Sequence, residues 1–237
     1  MLRSLLVAAV LLVSANLFST AEAAEEKLIY SITFSDYEEG SLEAWLLAKG
    51  FQFERDAKRR NLIDLDVGDN GLVLNTQRKA LGLFPNESVN LDNFTAVEID
   101  WGVTKHPSGA SYEQGVRNEA IMLIVFMGDE RQPSGSIFIP DSPYFVGLFI
   151  CSGDDRINHP YVGSYFKKSG RYVCVDQPDL GTLTTSRFSL IDAYREYFDK
   201  ENDDDPGVSG IALALDTKNA SDQGIARAFV KEIRFYK

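Results

Sequence analysis

Two histidines, His106 and His159, each precede a proline. A zinc site takes three or four His, Cys or carboxylate ligands at recognisable spacings, and the chain has no such set. G-x-S-x-G, Walker A and G-x-G-x-x-G patterns are absent too, which leaves nucleophilic and nucleotide chemistries without a motif. Carboxylates are more plentiful. Glu98 and Asp100 alternate with apolar residues and so share one strand face, roughly 6.6 Å apart by strand rise. Glycosidases use two carboxyls about 5 to 10 Å apart. Any wet strand face with alternating acids has this geometry, so the pair reads as a solvated face. The run 199–205, which contains Asp203, Asp204 and Asp205, is dense in oxygen ligands. Its order is not that of an EF-hand, with no Gly at the sixth position and no Glu at the twelfth. It reads as an acidic loop whose one plausible metal is a structural Ca²⁺. Asp216-Thr217-Lys218-Asn219 reads as an Asx-type turn first and a ligand loop second.

The aromatic residues offer a different chemistry. Tyr112, Tyr144, Tyr161 and Tyr165 fall in or beside loops, where binding residues concentrate. Trp101 shares a face with Val97 and Ile99 and reads as core. Trp45 follows Gly40-Ser41 in a segment of weak periodicity. A ligand face that works by ring stacking with a few placed polar groups would draw on Trp45, Tyr144, Tyr161 and Tyr165, with Arg117 and Asp216 as polar partners.

Strands must position these residues. Residues 28–34 (LIYSITF) are rich in β-branched and aromatic types, and Val97, Ile99, Trp101 and Val103 alternate with polar residues or glycine. Residues 121–127 (IMLIVFM) are apolar throughout, as in a strand covered on both faces. Residues 145–151, 171–175 and 211–215 are further strands. Residues 225–236 close the chain, with a phase slip near Lys231 that predicts a bulge. Turn chemistry separates the runs, as at Gly68-Asp69-Asn70-Gly71. Phe188, Ile191, Tyr194 and Phe198 form one helical stripe, which Ser186 could cap, and residues 39–47 suggest a second short helix. The pattern predicts a mainly β, jelly-roll-like β-sandwich with one α-helix in the C-terminal half.

The ends and the composition set the compartment. Arg3, an apolar run over 5–13 and Ala21-Glu22-Ala23 follow one another in the order of a cleavable export signal. The run is too short to span a bilayer, which takes roughly 20 apolar residues, and no later stretch predicts a transmembrane segment. Residues 1–23 are therefore expected to be a signal peptide and 24–237 a single domain. The location is expected to be periplasmic or secreted. A net charge of −11 argues against nucleic acid, which needs clustered Lys and Arg. Lys58-Arg59-Arg60 is the one obvious basic cluster and reads as a solvated turn. Cys151 and Cys174 are an isolated pair, expected to bond in an oxidising compartment, with two buried thiols as the alternative.

Val97-Glu98-Ile99-Asp100-Trp101, residues 118–126, residues 190–198 (LIDAYREYF), residues 210–219 and residues 226–235 occur in the order of segments in the bacterial domain of unknown function 3047 family. The chain resembles that family over about residues 95–236. It departs from the family in the extra residue between Asp192 and Tyr194 and in the acidic loop 201–205. The resemblance implies an exported sandwich and no known activity. Phe34, Asp36, Glu38, Gly40 and Trp45 resemble the opening of a carbohydrate-binding jelly roll. That resemblance implies a Ca²⁺ site in which Asp36 and Glu38 lie near the final strand. Residues 165–172 (YFKKSGRY) resemble the Tyr-Phe-Lys strand of alginate lyases, whose Gln-x-His motif is absent. The lyase resemblance implies a catalytic set of Arg117, Glu119, His159 and Tyr165. The leading expectation is a non-catalytic module that binds a glycan or an envelope protein. The alternatives are a polysaccharide lyase or glycosidase, and a structural protein of the envelope.

Overall fold

The computed structural model describes residues 26–201 and 204–237. The expected signal, residues 1–23, and Asp203 lie outside them. Thirteen strands follow in chain order: β1 (Leu28–Thr33), β2 (Glu54–Arg55), β3 (Ile63–Gly68), β4 (Gly71–Thr76), β5 (Leu81–Asn86), β6 (Ala96–Lys105), β7 (Glu119–Gln132), β8 (Ser142–Ile150), β9 (Pro160–Tyr161), β10 (Gly170–Asp176), β11 (Thr184–Ser189), β12 (Val208–Asp216) and β13 (Ala226–Tyr236). Helix α1 (Leu42–Ala48) lies between β1 and β2, and α2 (Leu190–Tyr197) follows β11. One sheet has the order β11-β6-β13-β4-β3, with β1 also pairing β13, and the other has the order β2-β5-β12-β7-β8-β10-β9. The protein is therefore the expected β-sandwich.

Period-two alternation assigns the faces. Val97, Ile99 and Trp101 of the six-stranded sheet and Ile121, Leu123, Val125, Val146, Leu148 and Leu213 of the seven-stranded sheet bury into one shared core. Trp101 is fully buried, and its indole N–H donates to Ser186 Oγ at 2.9 Å, so the ring leaves no donor unpaired. Ser186 therefore lies in β11 and does not cap α2. The cap is Ser189, which has the extended backbone a cap requires. The phase slip near Lys231 is a register shift between Val230 and Glu232 against β6. Gly71 has φ +85°, and a Cβ there would come within 2.4 Å of Val230 O, so the tight β3–β4 turn needs glycine.

The outer face of the six-stranded sheet is an ionic network. Arg234 donates to Asp100 at 2.7 Å and to Glu232 at 2.6 Å, Tyr236 to Glu98 at 2.7 Å, and Arg187 to Glu98 at 2.9 Å and also to Glu26. Burial pushes the Glu98 and Asp100 carboxyls up, but hydrogen bonds from these donors outweigh it and hold both below the usual carboxylate range. The two acids are thus ionised and fully engaged.

All neighbours pair antiparallel except β8 and β10, which run parallel. A parallel pair needs a long crossover, here residues 151–169. The Cys151–Cys174 disulfide closes that crossover, with Cα atoms 5.3 Å apart. The chain-entropy argument gives about 3 kcal/mol for a loop of this length. Thiol labelling of the denatured, unreduced protein should find no free thiol. The Cys151→Ala/Cys174→Ala variant should lose about 3 kcal/mol in urea unfolding, and an unchanged midpoint would show that the crossover is held by other contacts.

Candidate functional site

The outer face of the seven-stranded sheet is built differently. From β5 across to β10 its outward positions are Leu81, Leu83 and Pro85, then Gly210, Ala212 and Ala214, then Met122, Ile124 and Phe126, then Phe145, Gly147 and Phe149, then Tyr172. None of these is charged. Leu81, Leu83, Pro85, Ile124, Phe126 and Tyr172 are half-buried, with Phe126 beside Gly210 of β12 and Tyr172 over Gly147 of β8. Met122, Phe149 and Ala214 of this face join Tyr112, Tyr161 and the disulfide in a second apolar cluster, separate from the main core.

Polar groups gather at one end. Asp216 on β12 stands opposite Glu119 on β7. Simple alternation from Met122 would turn Glu119 into the core. The register shift between Ala214 and Asp216 sets Ala120 and Ile121 against a single residue of β12, and this bulge turns Glu119 outward. The loop between β6 and β7 then covers it. Tyr112 stacks on Phe149 with ring centres 4.3 Å apart, and its hydroxyl donates to Glu119 Oε2 at 2.8 Å. The loop is anchored by buried Asp155, which accepts from Glu113 N at 3.0 Å and from Ser111 Oγ at 3.4 Å.

Glu119 is only 7% exposed. Burial, with the negative charge of Asp216 added, pushes its carboxyl up to about 8 against the opposing Tyr112 hydrogen bond. Burial also raises Asp216 to about 6, although Lys218 N donates to its Oδ1 at 2.8 Å and Lys218 lends its charge. That backbone bond is the expected Asx turn. Burial, followed by the Glu119 charge, pushes the Tyr172 hydroxyl up to about 12. The pair therefore holds a proton more readily than free carboxyls do, and burial favours Glu119 as the group that carries it.

The structure brings several of the sequence candidates to this end. Arg117 donates to Ser164 Oγ at 2.9 Å and to Val162 O at 3.0 Å, which fixes the loop that carries the exposed Tyr165. Tyr161 is buried, accepts from Arg156 N at 2.8 Å and donates to Glu113 at 3.0 Å. His159 sits edge-on to Tyr161 with centres 4.8 Å apart and pairs with Arg156 at 2.7 Å. Of the set Arg117, Glu119, His159 and Tyr165, Glu119 belongs to the carboxyl pair, Arg117 lends its charge to Tyr172, and His159 stands behind the rings of Tyr161 and Tyr112, so the four do not converge on one point. Trp45 and Tyr144 lie elsewhere. Trp45 packs on α1 against Phe34 and Tyr37, and Tyr144 packs against Tyr194 and Phe198 beside a pocket of about 530 Å³. That pocket is also lined by Asp129, Glu130, Asp204 and Asp205, and Asp205 accepts from Arg195 at 3.0 Å. Asp36 pairs with Lys49 at 2.8 Å, and Glu38 is exposed. Among the described residues no three His, Cys, Asp or Glu side chains are grouped to hold a metal. Sequence reasoning missed Tyr172, Leu83, Ile124 and Phe126, because their shared face is set by strand order.

No protein-family model and no curated protein matches the chain. Solved structures that it loosely resembles include the following two. One is a low-affinity xylan-binding module, CBM86, from Roseburia intestinalis, at 10% identity over 90% of this chain and 96% of that one, with a TM-score of 0.34. The other is the family GH12 endoglucanase 3 of Trichoderma harzianum, at 10% identity over 84% and 100%, with a TM-score of 0.36. Likenesses this loose carry no argument about what this chain does.

The raised Glu119 carboxyl has a measurable consequence. Folding favours its protonated form, so the stability it contributes is fully present below its unfolded value near 4.5 and is lost as pH rises toward about 8. Between pH 5 and pH 8 the wild type should lose on the order of 3 kcal/mol, and Glu119→Gln should flatten that slope. Equal slopes in chemical denaturation of the two proteins would mean that Glu119 ionises normally.

Proposed function

We propose that this protein is an exported, non-catalytic binding module whose ligand, a glycan, lies on the outer face of the seven-stranded sheet. The observation that carries this reading is the contrast between the two outer faces. One is saturated with ion pairs, whereas the other is apolar and half-exposed, with polar groups only at one end. An uncharged, partly open sheet face with a few convergent polar groups has the composition of a ligand surface. Tyr165, Tyr172 and Phe126 offer ring faces for stacking on sugars, and Arg117 and Asp216 are the polar partners. The disulfide fits an oxidising compartment, periplasmic or extracellular. Membership of the domain of unknown function 3047 family is part of this reading and adds no activity to it.

A second reading has its own observation in its favour. A protonated Glu119 opposite an ionised Asp216 has the division of labour of a glycosidase acid and its partner. Glu119 is covered by Tyr112, however, so a substrate could reach it only if the 106–118 loop moved. Binding needs no such movement.

A glycan array probed with the purified protein, together with a reducing-sugar assay on the glycans it retains, separates the readings. Tyr165→Ala should weaken binding about fivefold with its melting temperature intact, because the ring is half-exposed and each stacked ring contributes on the order of 1 kcal/mol. Product release that Glu119→Gln abolishes would replace the binding-module reading with the enzyme reading. No retained glycan on a broad array would remove both.

A further inference from the structure

The two most exposed large apolar side chains among the described residues are neighbours. Ile137 is 92% exposed and Phe138 86%. They sit at the tip of the β7–β8 loop, and that loop is tightly organised beneath them. The buried Ser134 donates its hydroxyl to Ile139 O at 2.6 Å and accepts from Ser136 N at 3.2 Å, while Asp141 Oδ1 accepts from Ser134 N at 3.1 Å. A second loop, 162–169, is joined to this one where Phe166 N donates to Ser134 O at 2.9 Å. It adds Val162, 41% exposed, Tyr165, 49% exposed, and the exposed Lys167 and Lys168. Neither lysine has an ion-pair partner among the described residues. The charged residues of 131–141 and 162–169 are Arg131, Lys167 and Lys168 against Asp141 alone, a local excess of cations in a chain of net charge −11. Asp129 and Glu130 precede the loop and line the pocket beside Tyr144.

We propose that these joined loops form a tip that docks on an anionic lipid surface, with Ile137 and Phe138 entering the headgroup–acyl boundary. Three features select a lipid surface over a protein partner. The apolar part is a two-residue projection, whereas a stable protein contact buries about 800 Å² on each side. The apolar tip is backed by a tyrosine and by lysines, and tyrosine rings and lysine stems match the chemistry of a membrane interface. The unpaired lysines supply the attraction that anionic headgroups require, on a molecule that such a surface would otherwise repel. The hydrogen bonds of Ser134 hold the projection ready, so docking orders little.

Every described element lies after residue 26, so the test uses the chain from Ala24, the form left by removal of the expected signal. Its apolar run 5–13 then contributes nothing. Flotation with vesicles of phosphatidylglycerol and phosphatidylcholine should carry the protein upward, and vesicles of phosphatidylcholine alone should carry less. Ile137→Ser/Phe138→Ser should weaken binding by tenfold or more, roughly the loss expected when two apolar side chains no longer leave water. Lys167→Glu/Lys168→Glu should weaken binding comparably, and both variants should melt with the wild type. Added salt should weaken binding by the wild type. The proposal is overturned if the wild type ignores anionic vesicles, or if Ile137→Ser/Phe138→Ser binds them undiminished. A change from dimer to monomer in Ile137→Ser/Phe138→Ser, with no vesicle binding by the wild type, would assign the tip to self-association instead. Unchanged vesicle binding by Tyr172→Ala would show that the tip acts independently of the glycan face.

Discussion

The structure turns on the burial of β7. Its side chains from Ala120 to Val125 and Met127 face either the main core or the second apolar cluster, Phe126 packs on Phe145, and Ile124 and Phe126 are partly open. A strand whose two faces are both apolar and mostly covered offers a carboxyl little water. An ionised Glu119 turned into the core would face a desolvation cost that no partner there could offset. The bulge at Ala120–Ile121 resolves this by turning Glu119 toward the outer face. Even there the residue remains buried beneath Tyr112, and its raised affinity for a proton follows from that cover. Asp216, its cross-strand neighbour, adds a second charge that favours the neutral form.

The two outer faces follow opposite rules. On the six-stranded sheet, alternating acids and arginines pair across strands, and each carboxylate finds donors within hydrogen-bond distance. That face is stable in water and has little left to offer a ligand. On the seven-stranded sheet, the outward positions of β5, β12 and β7 other than Asp216 and Glu119 are aliphatic, aromatic or small. Such a surface gains by covering more of its apolar area, and part of that cover comes from the protein's own Tyr112 loop. The rest stays open, and that asymmetry supports a binding role.

Restraint of the loops completes the arrangement. The disulfide, the Asp155 anchor and the Arg117 bonds to Val162 and Ser164 hold the segments 106–118 and 151–169 against the sheet and against each other. Loops that are already ordered lose little entropy when something binds them. The same economy applies to the Ser134 turn that presents Ile137 and Phe138.

The sequence alone determined the sandwich, because period-two alternation at Val97, Ile99 and Trp101 and the all-apolar run 121–127 can be satisfied only by strands with buried faces. It also indicated the bulge at Lys231, which shows as a slip in phase, whereas the bond between the two lone cysteines, open to the alternative of buried thiols, was decided by the 5.3 Å approach of their Cα atoms. Strands β3 to β5 were less legible, since Gly82 and Pro85 weaken the β signal and their burial comes from β12 and β13, far along the chain. The helix cap moved from Ser186 to Ser189 because Ser186 is needed by the indole of Trp101, a contact between residues 85 positions apart. The site was the least legible part. Glu119 and Asp216 become partners only through the β7–β12 register. Tyr172, Leu83 and Ile124 share a face only through strand order, and the aromatic candidates divide between that face and remote packing at Trp45 and Tyr144. Local patterning follows from each residue's own demand for burial or water. Which buried strand lies beside which is decided by how two whole sheets close over one core, and only the tertiary structure carries that information.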